Sequence, residues 1–108
     1  MQIGPHGKQL LRTWEGLETS VYTDSGGVPT IGIGNALTRS ERTSGKILLN
    51  GKPCRYRDGL TEAQCWRLLQ QDVTNAEDAV NTAVAVSLTQ HQFDALVSFC
   101  FNIGIGAF

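Results

Sequence analysis

The sequence predicts an α+β fold, and three features of its pattern support that prediction. Residues 5–15 have an apolar face at helical spacing. A glycine-rich stretch with turn signals and alternating apolar residues follows, which is typical of β structure. Two later segments again repeat apolar residues every three or four positions. We therefore expect one domain over 1–108. It would comprise an N-terminal helix (1–16), a small β-hairpin lobe (17–59) and a helical lobe (60–108) with a long central helix.

Composition excludes several classes of function. The chain has 108 residues, 41% of them apolar, and a formal net charge of -1. This balance gives no basic field for binding nucleic acid. The apolar runs are too short to cross a bilayer, and the N-terminus lacks the basic-then-apolar order of a signal peptide. We expect a chain made in a cytoplasm, with no stable insertion into a membrane.

The three cysteines, Cys54, Cys65 and Cys100, do not indicate a disulfide framework. Their number is odd, and their spacing matches no metal motif. We interpret all three as reduced thiols, with Cys65 and Cys100 on apolar helix faces and Cys54 in a loop. A redox role for Cys54 stays open.

The first helix is predicted from Pro5 to about Glu15. Proline suits the first helical turn, since it lacks the N–H that would be unpaired there. Leu10, Leu11 and Trp14 are three and four residues apart and form one apolar face. Gly16 is then expected to end the helix.

A hairpin is expected next. Val21 and Tyr22 begin a short strand, and the sequence 24–27, Asp-Ser-Gly-Gly, is a turn signal. The return strand, 29–34, alternates Thr or Gly with Ile, which predicts one face with small side chains and one apolar face. Its glycines leave space for a close approach to the backbone.

Residues 38–59 are interpreted as the rest of the β lobe. Lys46 to Leu49 reads as a strand, and Asn50-Gly51 is a strong turn pair. Residues 55–57 are expected to form the partner strand.

Two helices complete the prediction. The sequence 61–64, Thr-Glu-Ala-Gln, is a capping box that begins a helix of about 18 residues, with a break predicted near Thr74-Asn75. Its apolar face comprises Ala63, Trp66, Leu69, Val73, Ala76 and Val80. A second capping box at 89–92 begins the last helix, which Gly104 and Gly106 would end. The apolar face there comprises Phe93, Leu96, Val97, Cys100 and Phe101.

The candidate chemistry lies in residues 14–38. Glu15 ends a helix, Asp24 lies nine residues later in a polar turn, and Thr30 follows on a strand. Two carboxylates are what a glycosidase needs: one protonates the leaving oxygen, and the other activates water or stabilises the charged sugar. The acid must stay protonated near neutral pH, so burial has to raise its pKa. A helix followed by a hairpin can place these groups on opposite walls of one cleft.

These residues resemble the tailed-phage lysozymes, the endolysins of glycoside hydrolase family 24. The motif consists of Glu15-Gly16, Tyr-Thr-Asp at 22–24, Thr-Ile-Gly-Ile-Gly at 30–34 and Leu37-Thr38. Further similarity covers 60–73 and 88–108, so the resemblance extends over essentially the whole chain.

The resemblance implies a lysozyme-like fold and hydrolysis of the β-1,4 bond between N-acetylmuramic acid and N-acetylglucosamine in peptidoglycan. It implies Glu15 as general acid, Asp24 as second carboxylate and Thr30 as the residue that places water or sugar. It further implies no metal or organic cofactor, and passage from the host cytoplasm to the wall through a holin-like pore. We also expect substrate contacts from Tyr22, Gly34, Asn35 and Asn102.

Two departures from the family pattern carry expectations. Asn35 occupies a position where many relatives have His, which predicts lower stability of the hairpin. Relatives also continue for about another 50 residues beyond the motif at 104–108, so the face of the 89–103 helix is expected to be exposed. That face is a candidate surface for self-association or for a completing chain.

Alternatives stay open at this point. A non-catalytic fragment that binds cell-wall glycan or a partner is one, and a lytic transglycosylase, for which Asp24→Ala would be nearly silent, is another.

Other polar residues have simpler interpretations. Glu18 is a rival acid, interpreted as a solvated charge. His6 and His91 are interpreted as helix-end or surface residues. The charged residues from Arg39 to Arg57 are interpreted as a solvated face, some of which could touch the peptide stems.

Overall fold

The computed structural model describes residues 1–84 and 86–103, with side chains described through Phe101, and it confirms the α+β class. In order, the described elements are α1 (Pro5–Glu15), β1 (Glu18–Thr23), β2 (Pro29–Gly32), β3 (Asn35–Ala36), α2 (Arg39–Ser44), β4 (Lys46–Leu49), β5 (Lys52–Arg55), α3 (Glu62–Ala83) and α4 (Gln90–Ile103). The chain divides into two compact units: Glu15–Gln71, and Met1–Trp14 together with the residues from Asp72 onward. The predicted division of a single domain into three segments stays a prediction.

In the unit Glu15–Gln71, β1, β2 and β3 form an antiparallel sheet in that order. Strand β1 begins at Glu18, three residues before the predicted start, and a bulge separates Glu18 from Tyr22. The return strand is shorter than predicted and ends at Gly32, because the chain turns there and comes back as β3. Gly32 and Gly34 make this turn possible with φ angles of +72° and +68°.

The strand β4 and the Asn50-Gly51 turn are confirmed, but the predicted partner at 55–57 is wrong. A two-residue turn makes the chain return at once, so Leu49 pairs with Lys52 and β5 ends at Arg55. Ile47 and Leu49 point to the buried side of this hairpin.

The short helix α2 was not predicted. Thr38 caps it: its hydroxyl accepts the N–H of Glu41, and the Glu41 carboxylate accepts the N–H of Thr38. Gly45, with φ of +71°, ends it. This Thr-x-x-Glu pattern was readable in the sequence as a capping box.

In the other unit, the N-terminal residues are held by side chains of α3 and α4. The backbone N–H of Ile3 donates to the carboxylate of Glu77, which is only 4% exposed, and the N–H of Gly4 donates to Asp94. A buried carboxylate needs such a partner. Sequence periodicity gave no sign of this role for Glu77. Among the described residues of this unit, the buried apolar side chains are Ile3, Leu11, Val73, Ala76, Val80, Phe93, Val97 and Cys100.

Both predicted capping boxes are confirmed by reciprocal hydrogen bonds, between Thr61 and Gln64 and between Thr89 and Gln92. The predicted break at Thr74-Asn75 is wrong, because α3 continues through it to Ala83. Two members of the predicted apolar face are also wrong: Ala63 is exposed and Trp66 is only half-buried. Cys65 and Leu68 are buried in their place. The predicted end of α4 at Gly104 and Gly106 lies outside the described residues.

Cys65 and Cys100 are buried on helices, as predicted, whereas Cys54 lies half-buried on β5 and not in a loop. All three are free thiols. Among the described residues, no helix is both long enough and apolar enough to cross a membrane.

Candidate active site

Glu15 is the last residue of α1 and its side chain lies against the backbone of Gly34. A Cβ atom built on Gly34 would lie 2.6 Å from Oε2 of Glu15 and 2.9 Å from its Cδ. A side chain at position 34 would therefore collide with the carboxyl group. The φ angle of +68° at Gly34 also favours glycine. The glycine thus creates the space that the Glu15 carboxyl occupies.

Asp24 organises the turn that joins β1 and β2. Its Oδ1 accepts the backbone N–H groups of Gly26 at 2.9 Å and Val28 at 2.8 Å. Its own N–H donates to the carbonyl of Val28 at 3.0 Å. This is the local pattern by which aspartate stabilises turns. The carboxylate is consequently held by its own loop.

Thr30 lies on β2 and is 3% exposed. Its hydroxyl donates to the carbonyl of Val28 at 2.9 Å, so its proton is already used and its oxygen can act further only as an acceptor. Val28 therefore connects the two predicted catalytic residues, since its N–H binds Asp24 and its carbonyl binds Thr30. This connection could not be predicted from the sequence, because hydrogen bonds made by the backbone of Val28 do not depend on its side chain.

The electrostatics distinguish Glu15 from an ordinary surface acid. Burial raises the pKa of the Glu15 carboxyl, and the nearby negative charge of Asp24 raises that pKa further. Both causes favour the protonated form. A carboxyl group with a raised pKa, close to a second carboxylate, is an arrangement suited to delivering a proton.

Tyr22 lies beside these acids and is half-buried on β1. Burial raises the pKa of its phenol, and the charges of Glu15, Glu18 and Asp24 raise that pKa further. The phenol therefore stays protonated at neutral pH and can donate a hydrogen bond. The substrate contact predicted for Tyr22 stays a prediction.

The structure brings most of the predicted site residues into one unit. Asn35, half-buried, begins β3 directly after Gly34. Glu18 is exposed on β1, and His6 and His91 are exposed near helix starts, as the sequence indicated. The side chain of Asn102 lies outside the described residues.

Within the part of the chain that the structure describes, no group of three or more His, Cys, Asp or Glu side chains is placed to hold a metal ion.

The raised pKa of Glu15 predicts a pH-dependent cost to stability. Between the pKa of an unfolded glutamate, about 4.3, and the raised pKa, the folded state binds more protons than the unfolded state, so stability falls as pH rises. We expect Glu15→Gln to raise the melting temperature at pH 7 and to leave it unchanged near pH 4. Calorimetry at both pH values measures this. Glu18→Gln is the matched control, and an equal gain in both variants at pH 7 would refute the prediction.

Removing the charge of Asp24 should lower the pKa of Glu15. Because burial is the larger cause, we expect Asp24→Asn to bring the Glu15 pKa down only part of the way to its ordinary value. A ¹³C NMR titration of the glutamate carboxyls follows the change directly. Glu18→Gln should leave the Glu15 titration in place, and an unmoved titration in Asp24→Asn would contradict the prediction.

Similarity to known proteins identifies the family of this chain. Residues 12–108 match the model of the phage lysozyme family. The chain belongs to the phage lysozyme family. The resemblance predicted from the Glu15–Thr38 motif is thereby confirmed.

Individual relatives of this phage lysozyme chain are endolysins. The endolysin of Salmonella phage P22 is 37% identical over 108 residues, covering 100% of this chain and 67% of the relative. The endolysin of Bacillus phage PZA is 38% identical over 113 residues, covering 100% of this chain and 37% of the relative. The chain therefore spans about two thirds of the first relative and much less of the second.

Solved structures agree with the lysozyme-like fold. An endolysin from Escherichia coli O157:H7 phage FAHEc1 has a TM-score of 0.72 and 39% identity, covering 99% of this chain and 61% of that one. The muramidase domain of SpmX from Asticaccaulis excentricus has a TM-score of 0.69 and 36% identity, covering 98% and 62% respectively.

Proposed function

We propose that this chain acts as an endolysin of the muramidase type, which hydrolyses the β-1,4 bond between N-acetylmuramic acid and N-acetylglucosamine in peptidoglycan. The observation that carries the proposal is the pair of carboxyl groups in one unit. Glu15 is held against Gly34 with a raised pKa, and Asp24, held by its own turn, contributes to that rise. Family membership and endolysin relatives support the same activity.

In the proposed reaction, Glu15 donates its proton to the bridging oxygen as the bond to the anomeric carbon of the muramic residue breaks. Asp24 stabilises the positive charge that develops on the sugar or activates the water. The hydroxyl group of water ends on the anomeric carbon, and its proton returns to the carboxylate pair. Thr30 can accept a hydrogen bond from this water through its oxygen. Tyr22, Gly34, Asn35 and Asn102 are proposed to contact the sugars.

Product analysis on purified sacculi tests the proposal. Hydrolysis releases fragments with reducing muramic acid ends, whereas a transglycosylase leaves 1,6-anhydro ends. The fragments are separated by liquid chromatography and identified by mass spectrometry. We expect reducing ends to accumulate with time and protein concentration.

Two other results would overturn the proposal. Anhydro ends would assign the chain to the transglycosylase reaction. Retention on sacculi without release of fragments, by a protein shown to be folded by circular dichroism, would assign it to a non-catalytic glycan-binding role.

A cytoplasmic origin followed by transfer to the wall is part of the same proposal. The substrate lies outside the inner membrane, so the chain needs a route such as a holin-type pore. Fractionation of cells that express it, with and without a pore-forming lysis protein, locates it. Wall-bound protein before pore expression would contradict this route.

The apolar face of α4 that was expected to be exposed is instead largely covered, because Phe93, Val97 and Cys100 are buried. We also propose that a different side of α4, the one that carries Phe99, mediates self-association. Trp14 and Phe99 are 63% and 55% exposed. They line a groove of ≈ 450 Å³ together with Leu10 and Ala95, and apolar side chains left this open commonly mark an interface. Analytical ultracentrifugation should show a dimer that Phe99→Ser dissociates. A monomer at high protein concentration would refute it.

A further inference from the structure

The segment 39–57 concentrates positive charge on a chain that is otherwise acidic. It contains six basic residues and one acid, so its net charge is +5, whereas the whole chain carries -1. The single acid, Glu41, already accepts the N–H of Thr38 through its carboxylate. The basic residues, all exposed, are Arg39, Arg42, Lys46, Lys52, Arg55 and Arg57.

One of these cations has a structural explanation. Arg57 lies against Gly45, where an added Cβ would come within 2.8 Å of its Nε, and its Nη2 donates to the carbonyl of Arg42 at 2.9 Å. The guanidinium thus satisfies a carbonyl near the end of α2, a favourable place for a cation. Stability of this small helix accounts for Arg57.

The same explanation fails for the β4–β5 hairpin. Lys46 pairs directly with Arg55 across the two strands, so both cations lie on the same face. Like charges directly opposite each other destabilise a sheet. Leu48, 57% exposed, pairs with Pro53 on that face. We name the four side chains Lys46, Leu48, Pro53 and Arg55 the cationic hairpin face.

We propose that the cationic hairpin face binds the carboxylate-bearing stem peptides of peptidoglycan, an inference that rests on the proposed function. The side chains of Lys46 and Arg55 can form ion pairs with the free carboxylates of a short peptide. Leu48 and Pro53 can pack against small aliphatic side chains between those carboxylates. A polyphosphate chain would leave the exposed leucine without a partner, and a lipid surface would require more than one such side chain.

The position of the face agrees with this assignment. It belongs to the same compact unit, Glu15–Gln71, as the two candidate catalytic carboxyl groups. The glycan strand carries its stem peptides on the muramic residues, next to the bonds to be cut. Binding the stems would therefore hold the strand without any contribution from Glu15 or Asp24 to that binding.

The repulsion on the face supplies a variant that separates folding from binding. Arg55→Glu would turn the opposed Lys46–Arg55 pair into a pair of opposite charges, which stabilises antiparallel strands. We expect Arg55→Glu to melt no lower than the unchanged protein and to bind sacculi more weakly. An unchanged or higher melting temperature together with weaker binding to sacculi indicates a residue kept for binding at a cost to stability. A residue with a purely structural role would instead lower the melting temperature when replaced and leave binding unchanged.

The test measures sedimentation of the 108-residue chain with purified sacculi, in a Glu15→Gln background so that the polymer stays intact. We expect Lys46→Glu with Arg55→Glu to weaken binding about tenfold or more, since each exposed ion pair contributes modestly. Lys8→Glu with Arg67→Glu, which changes the net charge equally outside the segment 39–57, is the control and should bind like the parent. Sacculi whose carboxyl groups have been amidated should bind the parent as weakly as native sacculi bind the hairpin variant.

Equal binding by the hairpin variant and its control would overturn the proposal, as would tight binding of the parent to amidated sacculi. If the Lys46→Glu, Arg55→Glu variant lost binding to phosphatidylglycerol vesicles but bound sacculi as the parent does, the proposal would also be overturned and the face would be assigned to lipid binding. Failure of the proposed function is visible separately. If the proposed function is wrong, the protein with Glu15 intact releases no reducing ends from glycan strands that lack stem peptides. If it is right, the Lys46→Glu, Arg55→Glu variant should cut these stem-free strands as fast as the unchanged protein.

Discussion

Glu15→Gln is expected to slow cleavage of peptidoglycan by about 10²–10⁴-fold, the usual contribution of general acid catalysis. The amide keeps the size of the side chain but has no proton to donate to the leaving oxygen. The contact with Gly34 should therefore survive while the chemistry is lost. Loss of turbidity of outer-membrane-permeabilised Gram-negative cells measures the rate, and release of reducing ends from sacculi measures the bond cleaved.

Glu18→Gln is the control for this variant. It removes an exposed acid from the same unit, three residues away in sequence. We expect its activity to stay within about twofold of the parent, since solvent and salt screen the charge of the exposed Glu18 carboxylate. Full activity in Glu15→Gln, or equal loss in both variants, would show that Glu15 is not the acid.

Gly34→Ala is expected to reduce activity about 10²-fold, because a small displacement of a catalytic group is enough for a loss of that size. The added Cβ would lie 2.6 Å from Oε2 of Glu15, so the carboxyl group has to move. The positive φ adds backbone strain of roughly 1–2 kcal/mol. Urea denaturation measures the loss of stability, and the turbidity assay measures the loss of activity.

Gly51→Ala separates strain from displacement. Gly51 has a φ of +78°, close to that of Gly34, but a Cβ there would meet no atom within 4 Å. We expect Gly51→Ala to lose comparable stability and to keep its activity. If both variants lose activity equally, strain or unfolding explains the effect, and the contact between Gly34 and Glu15 does not.

Much of the fold could be predicted from local patterns. Pro5 and Gly16 indicated the two ends of α1, and the capping boxes at Thr61 and Thr89 indicated the starts of α3 and α4. Each of these signals acts through hydrogen bonds or φ angles within a few residues of itself. Such signals are readable in a sequence because they need no distant partner.

The errors occurred where an element depends on what it packs against. The predicted return strand ran to Gly34 because Ile33 continued the alternation, whereas the chain turns there to form β3. Thr74-Asn75 looked like a break in α3, but Val73 and Ala76 on either side are buried, and that burial outweighs weak helix propensity. Propensity alone cannot report a packing partner that is distant in sequence.

The candidate site shows the same division. The motif that contains Glu15, Asp24 and Thr30 indicated the family, because residue type and order are enough to identify a motif, and the resemblance to that family implied the proposed roles. Only the tertiary structure showed that Glu15 lies against Gly34, and that the backbone of Val28 connects Asp24 to Thr30. The raised pKa of Glu15 likewise depends on burial and on the distance to another charge. A carboxyl group is encoded by its codon, but its proton affinity is set by the atoms that folding places around it.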